Sequence, residues 1–243
     1  MPTNFAVVTP LANESRDFEP FVHAVSAVFN RLGSGVCYLV IDQASKDNTL
    51  ELSQELSRRD PRFVTIWAPE NRNVVQAYMV GYRAAFNAGH EFVIEMDAGL
   101  SHDPAAIPLF LNTLKGGSQC VYGCRFMPGG STSDSSSKRS ILSRSGTLLA
   151  WLLLGLRLRD ATSGFQGFHR SIVEKLLNYK LLSEAHFFHV ELRHLLRKYS
   201  WVEIPIHYRA PSPSVSSKVV SNSLKVLKHY FVLRLKRQSP EIL

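Results

Sequence analysis

The residues best placed to do chemistry are carboxylates that close apolar runs. In EFVIEMDAGLSHDP, Asp97 ends such a run and is followed by Gly99 and a polar loop. A strand-end carboxylate of this kind can hold a divalent cation, or a ribose and diphosphate. Its competing role is that of a solvated turn residue. Capping the helix expected near Pro104 falls to Asp103 rather than to Asp97. In IDQASKDNT, Asp47 and Thr49 suit a helix N-terminus, while Asp42 and Gln43 stand where hydrogen bonds could select a base or ribose. In RDATSGFQGFHR, Gly164 and Gly167 permit close backbone approach and Asp160 offers another carboxylate. The nine histidines do not form a metal cluster by spacing: His186, His189 and His194 recur at partial helical intervals, but HFFH is not HExxH, and His102 lies in the Asp97 loop.

The elements that must position these residues follow from periodicity. FAVVT from Phe5, CYLVI from Cys37, FVTIW from Phe63 and EFVIEMD from Glu91 are short apolar runs. They alternate with helical patterns from Asp17, Thr49 and Val74. The alternation predicts an α/β fold with a mostly parallel, doubly wound central sheet flanked by helices. In such sheets ligands bind beyond the carboxyl ends of the strands. That edge collects Asn13 and Glu14, Asp42 and Gln43, Glu70 to Asn73, and Asp97. From Met127 to Ser145 the chain is rich in Gly and Ser and carries Lys138, Arg139 and Arg144, which predicts a mobile surface loop over the site. A helix from Ser183, a strand from Trp201 and a basic amphipathic helix from Ser223 complete the pattern.

The formal net charge of +8 favours anionic partners, and residues 218–243 hold six Lys/Arg against one Glu. This basic tail carries no nucleic-acid-binding motif, so no nucleic-acid partner is expected. Three cysteines, Cys37, Cys120 and Cys124, and the lack of a signal-like N-terminus point to a reducing, cytoplasmic setting. The most apolar stretch, TLLAWLLLGL from Thr147, is half the roughly 20 residues of a membrane span. With its basic flanks it fits a core helix or one lying on lipid, and the last helix fits a peripheral contact with the inner face of the cell membrane.

Several of these segments, in order along nearly the whole chain, resemble family 2 glycosyltransferases of the GT-A fold. The nearest resemblance is to the dolichyl- or polyprenyl-phosphate mannosyltransferase and glucosyltransferase branch. TPLANES is similar to P-x-x-N-E, VIDQASKDNT to V-D-D-x-S-x-D-x-T, EMDAGLSHDP to M-D-A-D-x-x-H-x-P, and YGCRF to G-S-R-[FY]. KRSILSR resembles an arginine-bearing segment before the acceptor-side helix, and DATSGF the D-x-T-S-G-F signature. FFHVELRHLLRK with VEIPIHY, and VSSK ending at Lys218, match the later motifs. The resemblance implies one GT-A (Rossmann-like) domain over 1–217 and a basic amphipathic helix over 218–243. It implies a nucleotide-sugar site lined by Pro10, Ala12, Glu14, Ile41, Gln43, Asp97, Ala98, Gly99 and Lys218, and Mg²⁺ or Mn²⁺ at Asp97.

The chemistry so implied is inverting transfer of a sugar to a lipid-phosphate acceptor. The catalytic candidates are Asp97, Arg125, Arg139 and Glu191. The departures are specific. Gly99 stands at the second acid of D-x-D, Gln43 at the second Asp of V-D-D, and Ser212 and Val215 at the Arg and Gly before the terminal Lys. With one metal acid gone, Arg125, Arg139 and Lys218 are the cations available to meet departing negative charge. A lipid-phosphate acceptor needs no strong base. A hydroxyl acceptor would need one, with Glu191 or Asp160 as the candidate, although Glu191 could equally pair with Arg193 or Lys198. The contrasting expectation is a catalytically silent relative that binds nucleotide or a protein partner.

Overall fold

The computed structural model describes residues 4–132, 137–209, 217–238, 240 and 242; for 137–139 and 217–218 it describes the backbone only. The first half is strictly alternating: β1 (Phe5–Leu11), α1 (Phe18–Leu32), β2 (Val36–Ile41), α2 (Thr49–Arg59), β3 (Phe63–Trp67), α3 (Val74–Asn87) and β4 (Phe92–Glu95). Then come α4 (Ile107–Lys115), β5 (Cys120–Cys124), α5 (Ser137–Leu149), β6 (Gln166–His169), α6 (Arg170–Leu177), α7 (Phe188–Leu195), β7 (Trp201–Pro205) and α8 (Ser217–Leu235).

The seven strands form one sheet in the order β3-β2-β1-β4-β6-β5-β7. Every pairing is parallel except the two made by β6, which runs antiparallel to β4 and β5. The predicted mostly parallel sheet is therefore present. Side chains alternate across it, as the two-residue strand period requires. Ala6 and Val8 of β1 face Tyr78, Tyr82 and Phe168. Phe5 and Val7 face Phe21, Phe29 and Phe110. Successive strands are added to one side of β1 as far as β3 and to its other side from β4, so the crevice beyond the carboxyl ends of β1 and β4 is where this topology places a ligand.

One expectation changes. The Gly/Ser-rich segment is not loop throughout, because its second half starts α5. From Ser137 to Ser145 it lacks Gly and Pro, and the helix continues into a π-helical turn, Ala150–Leu154, whose Ala150 and Leu154 are buried. Anchoring of that apolar end outweighs the loop-like composition. In the C-terminal helix, Val226, Leu227 and Tyr230 of α8 join the core. Among the described residues no helix is long and apolar enough to cross a membrane.

Candidate active site

The loop after β1 is tied to the loop after β2. Asn13, in a left-handed conformation (φ 59°), donates from Nδ2 to the Ala44 carbonyl at 3.1 Å and accepts from the Lys46 N–H at 2.8 Å. Asp47 accepts from the Ser15 N–H at 3.0 Å and from Thr49 Oγ1 at 2.6 Å. The hydrogen bonds from Ser15 and then Thr49 hold its carboxyl well below the usual range. Asp42 accepts from the Ala44 N–H at 2.8 Å, forming a turn that leaves Gln43 exposed. At the carboxyl ends of the adjacent strands β1 and β2, Pro10 pairs with Val40 and Leu11 with Ile41, and Ala12 lies exposed just beyond them.

Asp97 follows β4 at the same edge. Its Oδ1 accepts from the Tyr78 hydroxyl at 2.6 Å, and its side chain keeps 35 % exposure. Its N–H donates to His102 Nδ1 at 3.1 Å. That ring stacks on Phe165, and burial pushes its pKa down to about 4, so it is a neutral acceptor at physiological pH. Burial opposes ionisation of Asp97, but His102 and the Tyr78 hydroxyl outweigh it and hold the carboxyl below its ordinary value.

A second polar layer lies beneath. Glu95 is fully buried, accepts from the Tyr82 hydroxyl and from Gln166 Nε2 at 2.9 Å, and meets His189 Nε2 at 2.7 Å. His189 Nδ1 faces the His186 carbonyl at 2.9 Å and must therefore carry a hydrogen. Tyr78 and Tyr82 sit one turn apart on α3, matching Asp97 and Glu95 two residues apart on one face of the β4 segment. Gly81 brings the helix this close, since a Cβ there would lie 2.2 Å from Val8 Cγ1.

The DATSGF loop forms the opposite wall. A Cβ on Gly164 would meet His189 Nε2 at 3.2 Å and Asp97 Oδ2 at 3.3 Å, so any side chain there would have to displace one of them by a few tenths of an ångström. Asp160, fully buried, holds Arg125 through Nε at 2.7 Å and Nη2 at 2.8 Å, and Arg125 Nη2 also donates to Thr162 Oγ1 at 2.7 Å. Arg193, also buried, donates to the carbonyls of Asp160 and Ser163, each at 2.7 Å. Arg125 thus fixes the loop, with most of its fork committed. Glu191 has a different job from the catalytic one expected of it: its oxygens accept from the N–H groups of Leu182 and Ser183, both at 2.8 Å, and from Tyr230 at 2.7 Å. With no exposed surface and three donors, it organises the loop before α7 instead of offering a free base. The side chains of Arg139 and Lys218, like Ser212 and Val215, lie outside the described residues.

Glu14 changes the picture of the metal position. Ala98 is buried, and Gly99 is left-handed (φ 68°). A Cβ on Gly99 would lie 3.0 Å from Glu14 Oε2, so the Glu14 carboxylate occupies the space a side chain at 99 would enter. Burial first, then Asp17 and Asp97, push the Glu14 pKa up. Two neighbouring carboxylates, hard oxygen donors in mutual repulsion, fit a divalent cation that takes its other ligands from diphosphate and water. Among the described residues no group of three or more His, Cys, Asp or Glu side chains is placed to hold a metal unaided.

The sequence motifs thus converge on one edge, with Glu14, Gln43, Asp97 and Gly164 around the crevice. Sequence reasoning missed Tyr78, Tyr82, Glu95 and His189. The available signal was the Tyr-x-x-Gly-Tyr spacing, two hydroxyls one helical turn apart beside a glycine.

Comparisons with known proteins agree with this geometry. The family model Glycosyl transferase family 2 matches residues 6–177. Polyprenol monophosphomannose synthase of Mycolicibacterium smegmatis is 28% identical over 219 residues, 89% of this chain and 81% of that protein. Undecaprenyl-phosphate mannosyltransferase of Micrococcus luteus is 27% identical over 172 residues, 70% of each chain. Among solved structures, glucosyl-3-phosphoglycerate synthase from Mycobacterium tuberculosis, in complex with Mn²⁺, UDP and phosphoglyceric acid, superposes with a TM-score of 0.69 at 16% identity. The match covers 96% of this chain and 78% of that one, and places the fold among GT-A domains.

Proposed function

Because the chain belongs to glycosyl transferase family 2, and is accordingly a glycosyltransferase, we propose that it moves a sugar from a nucleotide-diphosphate donor to a polyprenyl phosphate, with inversion. The observation that carries this reading is the placement of Asp97: at the carboxyl end of β4, anchored from behind by Tyr78 and one-third open to the crevice beside Gly164. The names of the two mannosyltransferase relatives support the acceptor class.

In this reading the loops after β1 and β2 seat the nucleotide, with Gln43 offering both a donor and an acceptor to the base. A phosphate oxygen of the acceptor attacks the anomeric carbon from the face opposite the diphosphate. The new C–O bond forms as the bond to the diphosphate oxygen breaks. The acceptor is already ionised, so no residue need remove a proton, in keeping with the buried, occupied state of Glu191. Asp97 and Glu14 would hold Mg²⁺ or Mn²⁺, which when bound neutralises charge on the departing diphosphate. Arg139 and Lys218 are the remaining cations assigned to that charge. Arg125 acts by holding the DATSGF loop through Asp160.

Exposed apolar side chains support peripheral docking on a membrane. Ile141, Leu142, Leu148, Leu149, Trp151 and Leu152 line α5 and its π-helical end, and Leu224 and Leu235 lie on α8. A second reading, a silent relative that binds nucleotide without turnover, is motivated by Gly99 and Gln43, which stand where the family's motifs carry acids. Incubation with a panel of radiolabelled nucleotide-sugars and polyprenyl phosphate, with and without Mn²⁺, separates the two. Transfer of label to the lipid phase is expected; donor binding without transfer under every condition would overturn the enzyme reading.

A further inference from the structure

Asp97 and the DATSGF wall face each other where two antiparallel strands part. In the β4–β6 ladder the last pair in register is Glu95 with Gln166. Two residues further along their chains stand Asp97 and Gly164, and a Cβ on Gly164 would lie 3.3 Å from Asp97 Oδ2. How far the two chains splay beyond that last pair sets the width of the crevice between carboxylate and wall.

A side-chain clamp lies across this fork. Glu95, fully buried, accepts from Gln166 Nε2 at 2.9 Å, across the last pair itself. The same Oε2 accepts from Tyr82, which ties the fork to α3. Its Oε1 meets His189 Nε2 at 2.7 Å, which ties it to α7. His189 is the piece that reaches the wall: its Cε1 and Nε2 would each stand 3.2 Å from a Cβ on Gly164. One turn on, Arg193 of the same helix donates to the Asp160 and Ser163 carbonyls, each at 2.7 Å. Helix α7 therefore holds the loop from Asp160 to Gly164, and Glu95 joins α7 to the chain that carries Asp97.

Packing alone does not call for these groups. Burying a carboxylate against an imidazole costs free energy that an apolar pair of similar volume avoids. What the polar pair adds is a fixed direction and distance, since a satisfied buried network admits one arrangement. We propose that Glu95 and His189 are positioning residues for glycosyl transfer: together they fix the gap between Asp97 and the Gly164 backbone in which the transferred sugar is held. Both are buried, so they act through Asp97 and the wall and not on the substrates directly. The inference rests on the proposed function and adds two residues to it.

His189→Leu leaves an apolar side chain in place of the ring and removes the bond to Glu95; His189→Gln puts an amide donor back within reach. With the radiolabelled nucleotide-sugar that the wild type uses and polyprenyl phosphate, kcat of His189→Leu should fall about tenfold to a hundredfold, the loss expected of a misplaced reacting group. KM for the donor should hardly change, because the loops after β1 and β2 that seat the nucleotide are untouched. His189→Gln should recover most of kcat. Equal losses in the two variants, or a loss that tracks the folded fraction alone, would overturn the clamp. Amide hydrogen exchange read by mass spectrometry gives a second answer that needs no turnover. Exchange over residues 160–166 should rise in His189→Leu and not in His189→Gln, while residues 5–41 keep wild-type protection. Unchanged exchange over 160–166 in His189→Leu would overturn the proposal as well. Should His189→Leu fail to fold, Tyr82→Phe carries the comparison, since it keeps the ring and removes one donor from Glu95. Lower kcat, unchanged KM and faster exchange over 160–166 are expected of it, and wild-type values for kcat and exchange would overturn the clamp. Absence of transfer from the wild type would defeat the proposed function, and the exchange comparison would still decide the clamp.

Discussion

The hydroxyl of Tyr78 and the carboxylate of Asp97 lie 2.6 Å apart, and Tyr82 repeats the contact one helical turn later on Glu95. Two side chains of α3 thus hold two carboxylates of the β4 segment from behind. The Asp97 contact leaves Oδ2 facing the crevice. Tyr78→Phe keeps the ring and removes only the donor. A hydrogen bond to a charged group contributes about 1.5–3 kcal/mol, so kcat/KM should fall roughly tenfold to a hundredfold. The hydroxyl helps hold the Asp97 pKa down, so its loss raises that pKa, and the acid limb of the pH–rate profile should move to higher pH. An unmoved acid limb would show that Asp97 does not govern it.

Gly81→Ala tests the same contact through the backbone. The added Cβ would meet Val8 Cγ1 at 2.2 Å and must push α3 off β1. Overpacking of this kind costs about 1–3 kcal/mol. The variant should lose activity out of proportion to its fall in Tm, because both tyrosines retreat from their carboxylates. Proportionate losses would mean that packing alone is affected.

Restoring an acid at position 99 should not restore a stronger site. Gly99→Asp places a side chain in left-handed backbone and against Glu14 Oε2 at 3.0 Å, which should lower Tm and leave Mn²⁺ affinity no better. Glu14→Gln should weaken Mn²⁺ binding in the presence of UDP, measured by electron paramagnetic resonance, without unfolding the protein. Wild-type Mn²⁺ affinity in that variant would remove Glu14 from the ligand set.

Glu191→Gln should act on stability. Two backbone N–H groups and the Tyr230 hydroxyl lose a charged acceptor. The cost should be about 1–3 kcal/mol, read as a lower urea midpoint, with kcat of the folded enzyme retained. A large fall in kcat at unchanged stability would return Glu191 to catalysis.

Stability should also depend on pH through His102. Its folded pKa of about 4 lies below the unfolded value of 6.5. Between those values the unfolded chain binds the proton and the native state does not, so stability falls as pH drops from 6.5 towards 4. Urea midpoints of His102→Asn should show a shallower slope across that window than the wild type.

Much of this architecture was legible because its first half alternates strand and helix along the chain. The runs at Phe5, Cys37, Phe63 and Glu91 are apolar on both faces, as buried parallel strands must be, and the carboxyl-edge rule then brought Glu14, Gln43 and Asp97 together. Asp160 and Gly164 were visible as a carboxylate and a permissive glycine. The Glu95–His189 contact was not visible, because it joins residues 94 apart whose meeting depends on β6 inserting between β4 and β5. The surroundings of Glu191 were hidden for a similar reason: two of its partners are backbone N–H groups, which no side-chain pattern records, and the third, Tyr230, comes from the distant α8. The helix after Ser137 was hidden by a serine-rich composition whose buried anchors, Thr147, Ala150 and Leu154, come late in it.

The antiparallel strand β6 also has a kinetic consequence. Residues 5–67 assemble from successive strands, β1 with β2 and β2 with β3, whereas β4 must return to β1, pairing Phe92 with Phe5, and Glu95 then acquires Gln166 only after a 71-residue excursion has closed. Short-range pairing precedes long loop closure, so the nucleotide-seating half should acquire hydrogen-exchange protection first in refolding and the DATSGF wall last. Simultaneous protection of both halves would contradict that order. The enzyme would then pass through a stage able to seat a nucleotide before it has a wall against which to hold the sugar.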